Sequence, residues 1–448
     1  MPRRNLYIVL AITMVALACY HEASWMRSRY GAEFTAFCRV MDEIEKNYYY
    51  FDPADKEELA QRRRKLYEAG MAGIVESLDD PYSLYFPPKK SEELHDELAQ
   101  KFGGIGVNVA WDTDHKTLKV ASPLVGTPAH KAGLAPGDLI LKVDGEPLQG
   151  KSMGDAVSLI KGDPDTDVRL TVQRGDEEQP REFVITRDII NVPSVLGDRY
   201  LDDGAWEYHL EGESGIAYIR LVKFGEKSVD ELREVLADLA TPSLKGVVLD
   251  LRGNPGGLLS SAVEVCDLFL DKGRVVSTRD RDGVTRSVYE AKRGGFTEVP
   301  LAVLVDGYSA SASEIVSACL QDHHRAVIVG ERTYGKGSVQ DVIKLEGRKP
   351  GGSSLKLTIA TYWRPSGKNI HRLPNSTEED EWGVSPDDGY LVELSKDEET
   401  KMREHRRARD VYHTDGQSSP PLDIDLDPQL KKAVEYLKLG ATRRAAAA

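Results

Sequence analysis

Cysteine is scarce: Cys19, Cys38, Cys266 and Cys319 are all that 448 residues contain. Their spacing matches neither a disulfide framework nor a zinc site, and Cys266 and Cys319, on apolar helical faces, read as core packing. Positive charge is also short. Lys and Arg number 59 against 73 Asp and Glu, and a formal net charge of -14 argues against nucleic acid as a main partner, because phosphate contacts need a basic surface. No serine sits in a G-x-S-x-G elbow, which removes the sequence sign of an α/β hydrolase with a histidine base. No internal repeat is visible, so a solenoid is not expected. Only one uncharged apolar run, Leu6 to Tyr20, approaches membrane length, and it is short of the roughly 20 residues that a spanning helix wants.

What is present is a globular composition, 40% hydrophobic and 29% charged, in a chain too long for one core, so two to four domains are expected. Pro2-Arg3-Arg4 ahead of the apolar run reads as a signal peptide, with Ala16-Leu17-Ala18 resembling a cleavage site. Ala18-Cys19 is a weak lipoprotein signal, and an uncleaved anchor with its basic end in the cytoplasm is a third reading. All three place the bulk of the chain outside the cytoplasm, periplasmic or secreted, with residues 1–21 as leader or membrane contact.

The spacing of Phe34, Phe37, Met41 and Ile44, then of Leu59, Leu66, Ile74 and Leu78, predicts two amphipathic helices in a helical domain over 22–101. The turn residues Asp79-Asp80-Pro81-Tyr82-Ser83 end the second. From Phe102 the period changes to short strands, 105–110, 118–121, 139–143, 168–172 and 183–185, interrupted by one helix over 153–161. The string Ala132-Gly133-Leu134-Ala135-Pro136-Gly137-Asp138-Leu139-Ile140-Leu141-Lys142-Val143-Asp144-Gly145 resembles the PDZ domain, over 102–189. That resemblance implies capture of extended chain ends by strand addition, with the amides of Gly104, Ile105, Gly106 and Val107 holding a terminal carboxylate.

From Gly215 to about Leu394 strands and helices alternate, as in an α/β domain over 190–394. The buried runs 246–251, 301–305 and 326–329 read as strands, with helices after the first two. Beyond Leu394 the chain is polar and charged and reads as a linker, until Asp427-Pro428 starts a last helix. The fold class expected is therefore multidomain α+β: a helical domain, a β-rich PDZ domain and an α/β domain.

The chemistry concentrates at two stretches, Ser309-Ala310-Ser311-Ala312-Ser313-Glu314 and Gly335-Lys336-Gly337-Ser338-Val339-Gln340. Ser311 falls where a strand ends and a helix begins, so free amides there favour a developing anion. Ala312 is one donor, and the glycines of Arg252-Gly253-Asn254-Pro255-Gly256-Gly257 offer another, each such donor being worth about 3 kcal/mol of barrier. Serine needs a base, and Lys336 supplies one if its amine is neutral. Gln340, a double-ended hydrogen bonder, is placed to orient the lysine or the serine. The bland readings are a helix cap for each serine and a solvated surface lysine. Gly330 to Lys336 also reads G-x-x-x-x-G-K, but Gly337 replaces the magnesium-binding Ser or Thr of a nucleotide loop. His323 and His324 lie about three helical turns from Ser311 and read as a polar helix end.

Asp306-Gly307-Tyr308-Ser309-Ala310-Ser311-Ala312-Ser313-Glu314, then Gln321-Asp322-His323-His324, then Gly330-Glu331-Arg332-Thr333-Tyr334-Gly335-Lys336-Gly337-Ser338-Val339-Gln340 resemble the C-terminal processing peptidases, tail-specific serine proteases with a PDZ domain. The resemblance implies Ser311 as nucleophile, Lys336 as general base and Gln340 as its orienting partner. Ala312 with Gly256 or Gly257 forms the oxyanion hole, and Asp322 and Glu314 have supporting roles. It implies protein or peptide substrates with free, apolar C-termini, no metal or organic cofactor, and leaves a homo-oligomer open. Leu373 to Glu381 departs from the family as an insertion, and Asp306 stands where asparagine is common. The rival expectation is an inactive PDZ scaffold that binds peptides.

Overall fold

The computed structural model describes residues 33–50, 56–201, 203–292, 294–346, 351–412 and 419–447, together with Met14 and Gly31. The expected leader therefore lies outside the described residues apart from Met14. Among the described residues no helix is long and apolar enough to cross a membrane.

The chain forms two compact units, one ending at Pro87 and the other running from Pro88 onward. In the first, a helix over residues 33–47 packs beside Lys56–Glu76. Arg63 bonds Glu45 across the pair, and Gly70 leaves room for the Phe37 ring, where a Cβ would stand 3.2 Å from it. The helix Pro88–Leu98, expected with this bundle, belongs to the second unit. There Glu226 donates to the Leu98 carbonyl and Lys227 to Gln100 Oε1.

Within the second unit the PDZ domain is an antiparallel sheet in the spatial order Val107–Asp112, Thr117–Pro123, Leu139–Val143, Asp167–Gln173, Arg181–Thr186. Its alternating residues, among them Leu118, Val120, Ile140 and Leu170, are fully buried against Ala156 and Ile160 of the helix Met153–Ile160. Val107–Asp112 is an edge strand, so one row of its backbone groups faces outward.

The α/β domain carries a parallel sheet whose spatial order follows chain order: Ile216–Leu221, Gly246–Asp250, Leu301–Val305, Val327–Gly330. Three successive steps in one direction, each crossing over with the right-handed preference, put the connecting helices Ser228–Leu239, Leu259–Phe269 and Ala312–Asp322 on one face. The opposite face is left for the last helix, Pro428–Ala447, which buries Leu430, Ala433, Val434 and Leu437 there. Parallel strands share a carboxyl edge, so the loops that follow three of them emerge side by side. A second, antiparallel sheet of Ser338–Lys344, Ser354–Trp363, Gly273–Arg279 and Thr285–Ala291 closes this edge. Most of it was not legible in the pattern, because its strands are half-exposed and read as polar.

The stretch read as a linker contains the helix Lys396–Arg409, capped by Ser395 and Glu398. Its apolar content is too low to predict docking. Ion pairs hold it instead: Arg409, fully buried, pairs with the fully buried Asp198 at 2.6 Å and with Glu211 at 2.9 Å. Arg220 and Asp410 add a forked pair at 2.7 and 2.9 Å. Replacing Arg409 by Met leaves the buried Asp198 with Arg406 and the Glu211 amide. Urea unfolding of Arg409→Met is expected to show a loss of about 3–5 kcal/mol, whereas Arg403→Met on the exposed side of the same helix loses little.

Candidate active site

Three loops meet at the carboxyl edge of the parallel sheet: residues 251–258, 306–311 and 331–337. Ser311 sits at the helix start with φ 56° and ψ -109°, a left-handed conformation that costs a residue with a Cβ about 1–3 kcal/mol. Its neighbours are structural. Ser309 Oγ donates to the Leu251 carbonyl at 2.8 Å and Ser313 Oγ to the Asn254 carbonyl at 2.9 Å. The Ser311 side chain faces the buried hydroxyl of Tyr362, whose pKa burial raises and Ser311 pulls back. Ser309 and Ser313 thus tie the helix start to the neighbouring loop, and Ser311 is the N-cap residue, its amide held by Glu314.

Glu314, one turn into the same helix and wholly buried, is the hub. Its Oε1 accepts from Thr333 Oγ1 at 2.6 Å and the Gly335 amide at 2.7 Å. Its Oε2 accepts from the amides of Ser311 and Lys336, each at 2.8 Å. Both nitrogens touch one oxygen atom, so the serine and lysine backbones lie within twice that distance of each other. Burial pushes the Glu314 pKa from 4.5 to about 7, with the hydrogen bonds from Thr333, Ser311, Gly335 and Lys336 working against it.

Asn254 ties the glycine loop to the serine. Its side chain donates to the Leu221 carbonyl at 2.6 Å and accepts from the Gly256 amide at 2.8 Å, while its own carbonyl receives the Ala310 amide at 3.0 Å. Gly256, at φ 99°, lies so close to the serine that a Cβ would stand 2.9 Å from both Ser311 Cβ and the Ala312 nitrogen. The expectation that either glycine faces an oxyanion narrows here: the Gly256 N–H is committed to Asn254. Among the described residues the amides of Gly257 and Ala312 have no acceptor. Asp306, in place of the common asparagine, accepts from the amides of Gly253, Tyr308 and Ser309 and so braces the same turn.

The other expected residues have partners of their own. Asp322 is at the far end of the helix, about 16 Å from Ser311 by helical rise. It grips Arg364 at 3.0 Å and the Ser366 amide at 2.9 Å; burial raises its pKa, but Arg364 outweighs this and holds the carboxyl below its ordinary range. Gln340 donates to Ser338 Oγ at 2.8 Å and Thr358 Oγ1 at 3.2 Å, beside a bulge in its strand. His323 bonds the Arg274 carbonyl at 2.8 Å. A phosphate cradle is excluded, because the Gly335 and Lys336 amides are taken by Glu314 and a strand follows. Sequence reasoning missed Thr333, Asn254 and Tyr362; the Ser-x-x-Glu spacing of Ser311 and Glu314, a capping-box pattern, was the available signal for the hub.

In the PDZ domain, Gly104 ends a strand paired at Asp188 and Val107 opens the edge strand. The Ile105 carbonyl receives the Ala129 amide at 2.8 Å, and the Gly106 carbonyl receives the Leu124 amide and Thr127 Oγ1, both at 2.9 Å. With the carbonyls anchored inward, the amides of Ile105 and Gly106 have no acceptor among the described residues.

Glutamine at 314 keeps the shape but turns one acceptor oxygen into a donor that faces two buried N–H or O–H groups. Glu314→Gln is therefore expected to lose about 1–3 kcal/mol at pH 8 and to lose activity. A folded pKa raised above the unfolded one means that protonation of Glu314 favours the native state. That contribution is complete below 4.5 and disappears as pH rises through about 7, a span of up to ~3 kcal/mol. Urea midpoints from pH 4.5 to 8 should fall more steeply for the wild type than for Glu314→Gln; parallel curves would contradict the assignment.

The sequence pattern of peptidase family S41 matches residues 215–388, and that of the PDZ domain matches 119–174. A carboxy-terminal-processing protease of Bartonella bacilliformis is 38% identical over 393 residues, covering 84% of this chain and 83% of the relative. The carboxy-terminal processing protease CtpA of Bacillus subtilis is 32% identical over 341 residues, covering 76% and 67%. An S41 protease candidate from Bacteroides fragilis shares the fold, with a TM-score of 0.51 at 16% identity over 87% of this chain and 91% of that one. With its PDZ domain and its serine-centred α/β domain, the chain belongs to peptidase family S41, the carboxy-terminal processing serine proteases.

Proposed function

We propose that this chain cuts polypeptides outside the cytoplasm by a Ser–Lys mechanism after its PDZ domain has captured a free C-terminal tail. The observation that carries the reading is the Glu314 carboxylate, which binds the amides of Ser311 and Lys336 on one oxygen and so brings the two loops together. Lys336, as the free amine, takes the proton of Ser311 Oγ while that oxygen attacks the peptide carbonyl. The amides of Ala312 and Gly257 receive the negative oxygen of the tetrahedral intermediate. The ammonium of Lys336 then protonates the leaving amine, and water, deprotonated by the same lysine, releases the acyl group. Gln340 has its carbonyl oxygen to offer the ammonium, its amide being fixed by Ser338 and Thr358.

Tail recognition rests on the open edge of Val107–Asp112 and on the Ile105 and Gly106 amides at its head. Partly buried Val107, Val109 and Val157 favour an apolar side chain beside them. The extracytoplasmic setting rests on the leader-like residues 1–21.

Ser311→Ala and Lys336→Ala are each expected to abolish cleavage with unchanged circular dichroism. A peptide with a free apolar C-terminus should be cut with a KM at least about tenfold below that of its amidated form, the amide lacking the charge that the loop amides bind. Full activity in Lys336→Ala excludes the lysine base, and binding of the peptide without cleavage by the wild type supports the scaffold reading instead.

A further inference from the structure

The nine residues Leu373 to Glu381, which depart from the family pattern, form a closed loop against the lysine-bearing turn. Its neck is pinned where the Gly383 amide donates to the Ile370 carbonyl at 2.8 Å. Both sides of the neck bond that turn: the Arg372 amide donates to the Gly335 carbonyl at 2.8 Å, and the Val384 amide to Thr333 Oγ1 at 2.8 Å. Trp382 fills the angle between them and is 7% exposed. Its ring lies against Gly335, the residue before Lys336. A Cβ there would stand 2.9 Å from the ring and 2.7 Å from Arg372 Cβ, at a φ of 88° that already favours glycine.

The ring is clasped by two guanidinium groups, Arg332 with its Cζ 4.6 Å from the ring centre and Arg372 at 4.1 Å. The loop engages both. Glu378 approaches Arg332 at 3.7 Å and Arg372 at 3.3 Å, the Glu378 carbonyl accepts from Arg332 at 3.0 Å, and the Thr377 carbonyl receives the indole N–H at 2.9 Å. Without the loop, two like charges would face one ring unbalanced. The loop thus holds a rigid wedge against Gly335 of the lysine turn, the turn that Glu314 holds through the Gly335 and Lys336 amides.

We propose that Trp382 is a positioning residue for Lys336, and that the Leu373–Glu381 insertion is the clamp that keeps it in place; this rests on the lysine-base reading above. Placing the amine is a matter of fractions of an ångström, and a misplacement of about 1 Å can cost a hundredfold in rate. Trp382→Ala is expected to lower kcat by about tenfold or more, with KM for the tail peptide within about twofold. The acid limb of its kcat/KM profile should move to higher pH, as a looser amine gains water and holds its proton longer. Trp382→Phe, which keeps a flat ring against Gly335, should restore most of kcat.

Glu378→Gln, at a position 77% exposed, leaves the fold alone and should lower kcat by about two- to threefold through loosening of the arginine pair. A folded Trp382→Ala with wild-type kcat and an unmoved acid limb, or one whose KM alone changes, overturns the proposal. If Trp382→Ala does not fold, an unchanged kcat and pH limb in Glu378→Gln overturns it. Lys336→Ala separates the two levels. Wild-type activity there ends the lysine-base reading, whereas an inactive Lys336→Ala beside an indifferent Trp382→Ala ends the clamp alone.

Discussion

One buried carboxylate organises the site. Glu314 reaches across from the serine's own helix to accept from Thr333, Gly335 and Lys336, while its other bond closes the turn at Ser311. Four donors on two oxygens satisfy a charge that burial alone would expel, which is why its pKa stops at about 7. Everything else about the site follows from that pairing. The strained φ of Ser311 is tolerated because its amide is fixed, and the lysine turn is aligned with the serine turn without any direct bond between the two side chains being needed.

The parallel sheet makes this pairing possible. Strands in one spatial and sequential order present their following loops on a single edge, so 251–258, 306–311 and 331–337 converge although they are distant in the chain. Glycine then sets how close they come. At 256 a side chain would meet Ser311, and at 335 it would meet Arg372 and Trp382. Two braces thus hold the lysine turn: Glu314 through its amides, and Trp382 with Arg372 packed against Gly335.

The sequence-level expectations held best where burial is periodic. The strand Leu301–Val305 agrees with the structure to the residue, because full burial writes itself as a run of Val, Leu and Ala; Leu139–Val143, with Ile140 and Val143 buried, agrees as well, and the helix after Ser311 runs through the expected Ile315, Val316, Cys319 and Leu320. The pair Gly273–Arg279 and Thr285–Ala291 was not legible, since the first buries polar Ser277 and Thr278 beside Val275 and Val276 and the second buries no residue fully, so neither shows an apolar alternation. The helix Lys396–Arg409 was read as a linker for the opposite reason: it docks through charge, and Arg409 finds Asp198 some two hundred residues away.

Local chain chemistry alone determined which groups are reactive: a serine at a strand-to-helix turn, a lysine between glycines, glycines in a second loop, and an edge-binding domain upstream. Which of three neighbouring serines is free, which of two glycine amides is already used, and what holds the lysine turn were decided only by the tertiary structure. The physical reason is that these are questions of hydrogen-bond accounting among buried groups. An amide such as that of Gly256 has many potential partners in a sequence and one in a packed interior.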